Sequence, residues 1–488
     1  MATVTVYGPP ISTAVSRVLA CLLEKDVPFQ LAAVDMAKGQ HRSPDFLKLQ
    51  AFPQTQTAES RAICRYICDK YADQGYKGLH GRGLVDRAWV DQWLEAESQN
   101  FEPPSSVLVF QLAFAPRMGL KQDSKVIEAN ERKLAKVLDV YEQRLGQSRF
   151  LAGDEFTLAD LSHLPNGHHL ADREHLIKSR KNVGRWWEEI SSRPSWKKVV
   201  EMQSAPSGAE ILSYICTVLW TLNHSKVVQT KFLITTNGYK IPLATALSFP
   251  ALEESESLRE TSREEMASVK VFGSPASMEV QRVLACLFEK EVDFQLVKMD
   301  SFRGPKRLPE FLKMQLRGEA LFYQDDKIAL VESRAICRHI VDKFKNQGNK
   351  DLMGEGALER ALIQQWLETE SHKFDPPSSE LVFFLAIAPS LPEPELPPTS
   401  AIEESKKKLE KVLKVYDRRL ADNQFLTGRK FTLADLSHLP NTEQLMRIDE
   451  TRNLFERHGN VSRWWKDISK RESWEKVTQI AKQPPPMA

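Results

Sequence analysis

Glu59-Ser60-Arg61-Ala62-Ile63-Cys64 recurs 273 positions later as Glu332-Ser333-Arg334-Ala335-Ile336-Cys337. Ile63, Ile67 and Tyr71 follow at four-residue spacing in the first copy, and Ile336 and Ile340 in the second, so each stretch opens an amphipathic helix. The free N–H groups at a helix start carry partial positive charge and hold anions such as carboxylates. Ser60 adds a hydroxyl donor there, and Glu59 can accept from an ammonium group; a ligand with a carboxylate beside an amine fits both. The plainer reading is a helix cap made of Glu and Ser. The surroundings of the pair decide between the two.

Other landmarks recur in the same order. Ser12 and Ser277 lie 265 positions apart, Thr157 and Thr432 275, and Trp186 and Trp464 278. The 488 residues therefore hold two copies of one unit of roughly 205–220 residues. A single core would not accommodate this length, since cores stop growing near ~250–300 residues. The offset grows from 265 to 273 between Ser12 and Glu59, so copy one lacks eight residues there.

Each unit reads as two parts. The first opens with an alternating strand (Val4 and Val6; Val269 and Val271), a Gly-Pro turn, and a helix with apolar residues at 15, 18, 19, 22 and 23, echoed at 280, 283, 284, 287 and 288. A second strand passes through Phe29 and Leu31, echoed by Phe294 and Leu296. Strand, helix and strand within about thirty residues imply a right-handed βαβ unit with parallel strands. Copy two can add a hairpin from 320–323 and 328–331, whereas copy one has only Pro53-Gln54-Thr55-Gln56-Thr57-Ala58 in that place. The second part is helical throughout. Thr157 and Asp160, like Thr432 and Asp435, form a helix-start signature, and the late tryptophans 186, 187, 196, 464, 465 and 474 read as core. The fold class is α/β plus all-α in tandem: 1–77 and 84–204 for copy one, 269–349 and 356–483 for copy two, with a linker at 205–268.

The linker echoes neither copy. Its apolar run 211–222 is shorter than the ~20 residues that span a bilayer, and 252–265 is rich in Glu, Ser and Arg. Met266-Ala267 precedes copy two as Met1-Ala2 precedes copy one, which suggests a fusion of two genes; two separate messages on sequencing the transcript would refute that. A net charge of +2 argues against an electrostatic nucleic-acid binder. The six cysteines lack metal spacing, and no metal site is expected. They read as buried thiols of a reducing, cytoplasmic compartment. Val4 and Val6 already read as a strand, so no signal peptide and no membrane association are expected.

Several stretches together carry a family resemblance: Tyr7-Gly8-Pro9-Pro10-Ile11-Ser12-Thr13, His41-Arg42-Ser43-Pro44, Glu59-Ser60-Arg61-Ala62-Ile63, Pro103-Pro104-Ser105-Ser106 and residues 156–166. Both copies resemble plant glutathione transferases of the phi class over nearly the whole chain except the linker. The resemblance implies a thioredoxin-like domain followed by an all-helical domain. It also implies conjugation of glutathione, the co-substrate, to hydrophobic electrophiles in detoxification, with some peroxide reduction. Ser12 and Ser277 match the catalytic serine, whose hydroxyl donates to the glutathione thiolate; their plainer role is an N-cap.

The remaining roles follow by position. Glu59-Ser60 and Glu332-Ser333 match the residues holding the γ-glutamyl end of glutathione. His41 and Arg42 match the pair for its glycyl carboxylate, with Lys306 and Arg307 in that place in copy two. Ile11, Thr13, Phe114 and Met118, and in copy two Met278, Phe384 and Ile387, are candidates for the electrophile pocket. The family's Gln-Val-Pro stretch, which meets the cysteinyl part of glutathione, is replaced by Glu319-Ala320-Leu321 in copy two and is reduced in copy one to Gln54 at most. The family's dimerism implies an intrachain pseudo-dimer of the copies or a homodimer. A linker of about sixty residues spans roughly 40 Å, enough for the copies to pair. The alternative is a binding protein for glutathione or hydrophobic ligands with decayed sites.

Overall fold

The computed structural model describes residues 4–32, 60–173, 175–204, 269–298, 321–390 and 398–482. The expected site residues His41, Arg42, Gln54, Glu59, Lys306, Arg307, Glu319 and Ala320, the shortened loop of copy one and the 205–268 linker lie outside them.

In copy one, β1 (Val4–Tyr7) pairs in parallel with β2 (Phe29–Ala32), Val4 opposite Phe29, with helix Thr13–Glu24 between them. In copy two, β3 (Val269–Gly273) pairs in parallel with β4 (Phe294–Lys298), with helix Met278–Glu289 between. There β5 (Phe322–Gln324) and β6 (Ala329–Leu330) complete a sheet of order β4-β3-β5-β6, its last two pairings antiparallel. The turn from β1 into its helix passes through Gly8 at φ +126°, and copy two repeats this with Gly273 at φ +154°. A side chain would be strained in that region, and a Cβ on Gly8 would lie 2.9 Å from Val15 Cγ2.

The helices Ser60–Lys70 and Ser333–Lys343 close the first part of each unit. All later elements are helical. Their start at Thr157 and Thr432 is the capping box expected from sequence. Asp160 accepts from Leu151 N (3.0 Å), Thr157 N (3.0 Å) and the Trp186 indole (2.9 Å); Asp435 does the same for Leu426, Thr432 and Trp464. One buried carboxylate thereby ties a turn, a helix start and a late helix, and all six late tryptophans are buried. Each copy has its own apolar core.

The copies meet where the last helix of each first part packs on the helical part of the other copy. Helix Ser60–Lys70 packs on Gly356–Thr369, and helix Ser333–Lys343 on Leu84–Ala96. Arg65 Nη1 donates to Glu368 Oε1 at 2.6 Å, and Arg338 Nη1 donates to Glu95 Oε1 at 2.6 Å. Arg65 and Arg338 are equivalent positions, as are Glu95 and Glu368, so the crossing is a nearly symmetric exchange. Around it Val331 N donates to Gln92 Oε1 (2.8 Å), and Ser98 Oγ bonds His372 Nε2 (2.8 Å).

Candidate functional site

Ser12 and Ser277 occupy the N-cap positions of their helices with extended backbone (φ −67°, ψ 126°; φ −70°, ψ 130°), yet neither hydroxyl makes a cap hydrogen bond. The cap role that the sequence offered for them is not taken up. The backbone does the anchoring instead. Ser12 N donates to Pro9 O (3.0 Å), while Ser12 O accepts from Ser16 N (2.8 Å) and Ser16 Oγ (2.6 Å). Ser16 Oγ also reaches Pro10 O (3.1 Å), which takes a second bond from Gln203 Nε2 (3.2 Å). In copy two Gln281 stands where Ser16 does, and its amide reaches Pro275 O (2.9 Å). Different side chains hold the same turn, and the hydroxyl is left at the positive end of a twelve-residue helix.

The Glu-Ser stretch departs from a simple cap as well. Glu332 is the N-cap of its helix, makes no side-chain cap bond and sits at φ +68°, a region costly for a non-glycine residue. The Ser60 hydroxyl accepts from Arg17 Nη1 at 2.7 Å, and the Ser333 hydroxyl accepts from Arg282 Nη1 at 2.7 Å. Arg17 lies on the helix that Ser12 opens, so one buried guanidinium links the two serine-bearing elements.

Behind these arginines lies a buried ionic cluster. Arg17 faces Glu97 at 3.6 Å; Arg61 pairs with Glu97 at 2.7 Å and also with Glu102. Copy two repeats this with Arg282–Glu370 (3.7 Å), Arg334–Glu370 (2.8 Å) and Arg334–Asp375 (3.4 Å). Burial pushes the Glu97 and Glu370 carboxyls up. Burial also acts on Glu102, but Arg61 and Arg17 outweigh it and hold that carboxyl at about 2.

Tyr141–His163 and Tyr416–His438 have the composition of acid–base pairs, but both imidazoles are spent. Each Nδ1 bonds a backbone carbonyl at 2.7 Å and each Nε2 a tyrosine hydroxyl at 2.9 Å, and burial pushes both histidines down to about 3. Among the described residues there is no group of three or more His, Cys, Asp or Glu side chains that could hold a metal, and no helix is long and apolar enough to cross a membrane. Among the described residues, Cys21, Cys64, Cys68, Cys286 and Cys337 are buried and form no disulfide.

The electrophile candidates divide. Ile11, Thr13, Met118 and Met278 are partly exposed and Ile387 is exposed, whereas Phe114 and Phe384 are buried. A π-helical turn runs through this stretch in each copy, at Phe110–Phe114 and Phe383–Ile387. The exposed aromatic beside Phe384 is Phe383, and in copy one the exposed apolar residues include Tyr7, Leu31, Val107 and Leu120. The guanidinium behind each serine, Arg17 and Arg282, was missed from sequence; its partner is 43 or 51 residues away.

The family model for the glutathione S-transferase C-terminal domain matches residues 102–194 and again 374–472, and the model for the N-terminal domain matches residues 267–342. The chain is 43% identical over 213 residues to glutathione S-transferase F10 of Arabidopsis thaliana, spanning 41% of this chain and 98% of that relative. With glutathione S-transferase F11 of the same plant it shares 44% over 210 residues, again 41% of this chain and 98% of the relative. The crystal structure of glutathione transferase F2 from Populus trichocarpa aligns at 63% identity over 41% of this chain and 99% of that one, with a TM-score of 0.40. Each relative corresponds to one unit of a chain that carries two, and the chain belongs to the glutathione S-transferase family, with its similarity to the plant enzymes of the F, or phi, class.

Proposed function

We propose that the chain conjugates glutathione to electrophilic small molecules, with Ser12 donating its hydroxyl proton to the glutathione thiolate and Ser277 in the equivalent position of copy two. The observation that carries this is the N-cap serine whose hydroxyl is not spent on its own helix. A free thiol of pKa ~8.5 is mostly protonated at neutral pH. A hydroxyl donor and the helix start both favour the anion, which then attacks the electrophile. The serine is not itself a nucleophile, and its role is electrostatic.

Ser60, backed by Arg17, would take the γ-glutamyl carboxylate, and Glu59 the ammonium. His41 and Arg42 would take the glycyl carboxylate, with Lys306 and Arg307 in copy two. Ile11, Thr13, Phe114 and Met118, with Met278, Phe384 and Ile387 in copy two, would line the pocket for the electrophile. Glutathione is the co-substrate and no metal enters the reaction. The two copies would work as an intrachain pseudo-dimer, a reading supported by the reciprocal Arg65–Glu368 and Arg338–Glu95 pairs. The cytoplasm is the proposed location, in keeping with the buried free thiols.

Retention on glutathione-agarose together with turnover of a chloronitrobenzene substrate tests the proposal. Retention without turnover would favour a binding protein. Turnover unchanged in Ser12→Ala plus Ser277→Ala would refute the serine mechanism.

A further inference from the structure

Ser60 and Ser333 are equivalent, and so are the arginines that support them, but their neighbours are not. Position 14 of copy one is Ala, and the matching position of copy two is Glu279. Glu279 lies in the first turn of helix Met278–Glu289. Its Oε2 accepts from the Ser333 hydroxyl and from Arg282 Nη1 (2.9 Å), while the same Nη1 donates to Ser333 Oγ at 2.7 Å. Carboxylate, hydroxyl and guanidinium thus close a three-membered ring. In copy one Arg17 donates to Ser60 in the same way, and Ala14 brings no carboxylate to the ring.

We propose that Glu279 is a built-in substitute for the γ-glutamyl carboxylate, which fills the anchor of copy two and leaves copy one as the glutathione-holding site. The inference rests on the reading of Ser60 and Ser333 as γ-glutamyl anchors.

Two physical arguments carry it. A serine hydroxyl has one proton to donate. In copy two that proton goes to Glu279, so a ligand carboxylate would find only a hydroxyl whose proton is taken. The second argument is charge. The cluster of copy one sets Arg17 and Arg61 against Glu97 and Glu102, two against two. Copy two sets Arg282 and Arg334 against Glu370, Asp375 and also Glu279, so one negative charge is in excess where an anion would have to enter. Burial pushes the Glu279 carboxyl up, but Arg282 and Arg334, with the bonds from Ser333 and Arg282, outweigh it and hold it at about 2. Glu279 therefore keeps its charge at neutral pH.

The test is calorimetric titration of the full chain with glutathione, comparing wild type with Glu279→Ala and Glu279→Gln; the second variant keeps the shape and removes the charge. Wild type is expected to bind one glutathione per chain, and either variant to gain a second, with affinity at copy two rising by about tenfold or more, as expected when a like charge leaves the site. Two equivalents in wild type, or a count that stays at one in both folded variants, would overturn the inference while leaving the anchor reading in place. Ser60→Ala separates the two ideas. Loss of the wild-type binding event in that variant supports the anchor. Unchanged binding would overturn the anchor reading and this inference with it.

Discussion

Replacing Glu368 by alanine removes an acceptor that copy two lends to copy one. Its Oε1 lies 2.6 Å from Arg65 Nη1 and 3.6 Å from Arg338 Nη2. Arg65 is 1% exposed and Glu368 2% exposed, so water cannot take the acceptor's place. Breaking a buried pair from one side costs about 3–5 kcal/mol, because a desolvated charge is left behind. Arg65 keeps Asp91 at 2.8 Å and Arg338 keeps Glu95 at 2.6 Å, which places the loss at the lower end, about 3 kcal/mol. An exposed pair gives the contrast. Arg82 and Glu155 are 58% and 51% exposed, and Glu155→Ala is expected to cost far less, because water and salt screen the pair.

Urea unfolding followed by tryptophan fluorescence reads both variants. Glu368→Ala should also broaden the transition, because one of the two buried pairs that tie the copies is lost while Arg338–Glu95 remains. A pH series adds a signed check. Burial raises the Glu368 carboxyl, but Arg65, His372 and Arg338 outweigh it and hold it at about 2, below the ordinary value of 4.5. A depressed carboxyl contributes stability that is present above its unfolded value and is lost as pH falls through its folded value. The wild-type advantage over Glu368→Gln should therefore hold above pH 4.5 and shrink as pH drops toward 2. If Glu368→Ala costs no more than Glu155→Ala, the pair does not couple the copies and the reasoning fails.

Three further outcomes are expected. Gly8→Ala places a side chain at φ +126° against Val15 and should cost about 1–3 kcal/mol in thermal melts; it should also lower turnover by moving Ser12, and a Tm equal to wild type would count against the turn's role. Asp435→Ala strands the Leu426 and Thr432 amides and the Trp464 indole, each unpaired buried donor costing about 1–3 kcal/mol. A Tm drop much larger than that of an exposed control is the expected result, and near-equality would refute the tie. Ala14→Glu transplants the copy-two carboxylate beside Ser60 and should weaken glutathione binding by about tenfold or more; unchanged affinity would contradict the open-anchor account of copy one.

Much of this was legible in the sequence because it is local or repeated. The βαβ start follows from alternation and helical spacing, and the Thr-x-x-Asp capping box is a four-residue signal that formed in both copies. What stayed hidden is long-range or depends on phase. Nothing near Ser60 announces Arg17, because the bond is made between two helices that pack only after folding. Glu279 in a first helical turn reads as an ordinary partner of the helix dipole, and only the folded chain brings it onto Ser333. No helical count announces the π-helical turns at Phe110–Phe114 and Phe383–Ile387, within which Phe114 and Phe384 are buried while Phe383 and Ile387 are exposed. The expected roles of Ser12 and Ser277 came from the family resemblance, since an uncapped N-cap serine leaves no mark in sequence.

The most direct measurement is the pH titration of the thiol of glutathione bound to the full chain, followed by thiolate ultraviolet absorbance. A charge-assisted hydrogen bond of about 1.5–3 kcal/mol corresponds to roughly one to two pKa units. The bound thiol should therefore titrate at least about one unit below the free value of ~8.5. Ser12→Ala should return most of that shift, while Ser277→Ala leaves it in place. An unshifted thiol in wild type, or a Ser12→Ala curve that superimposes on it, would contradict thiolate activation by Ser12.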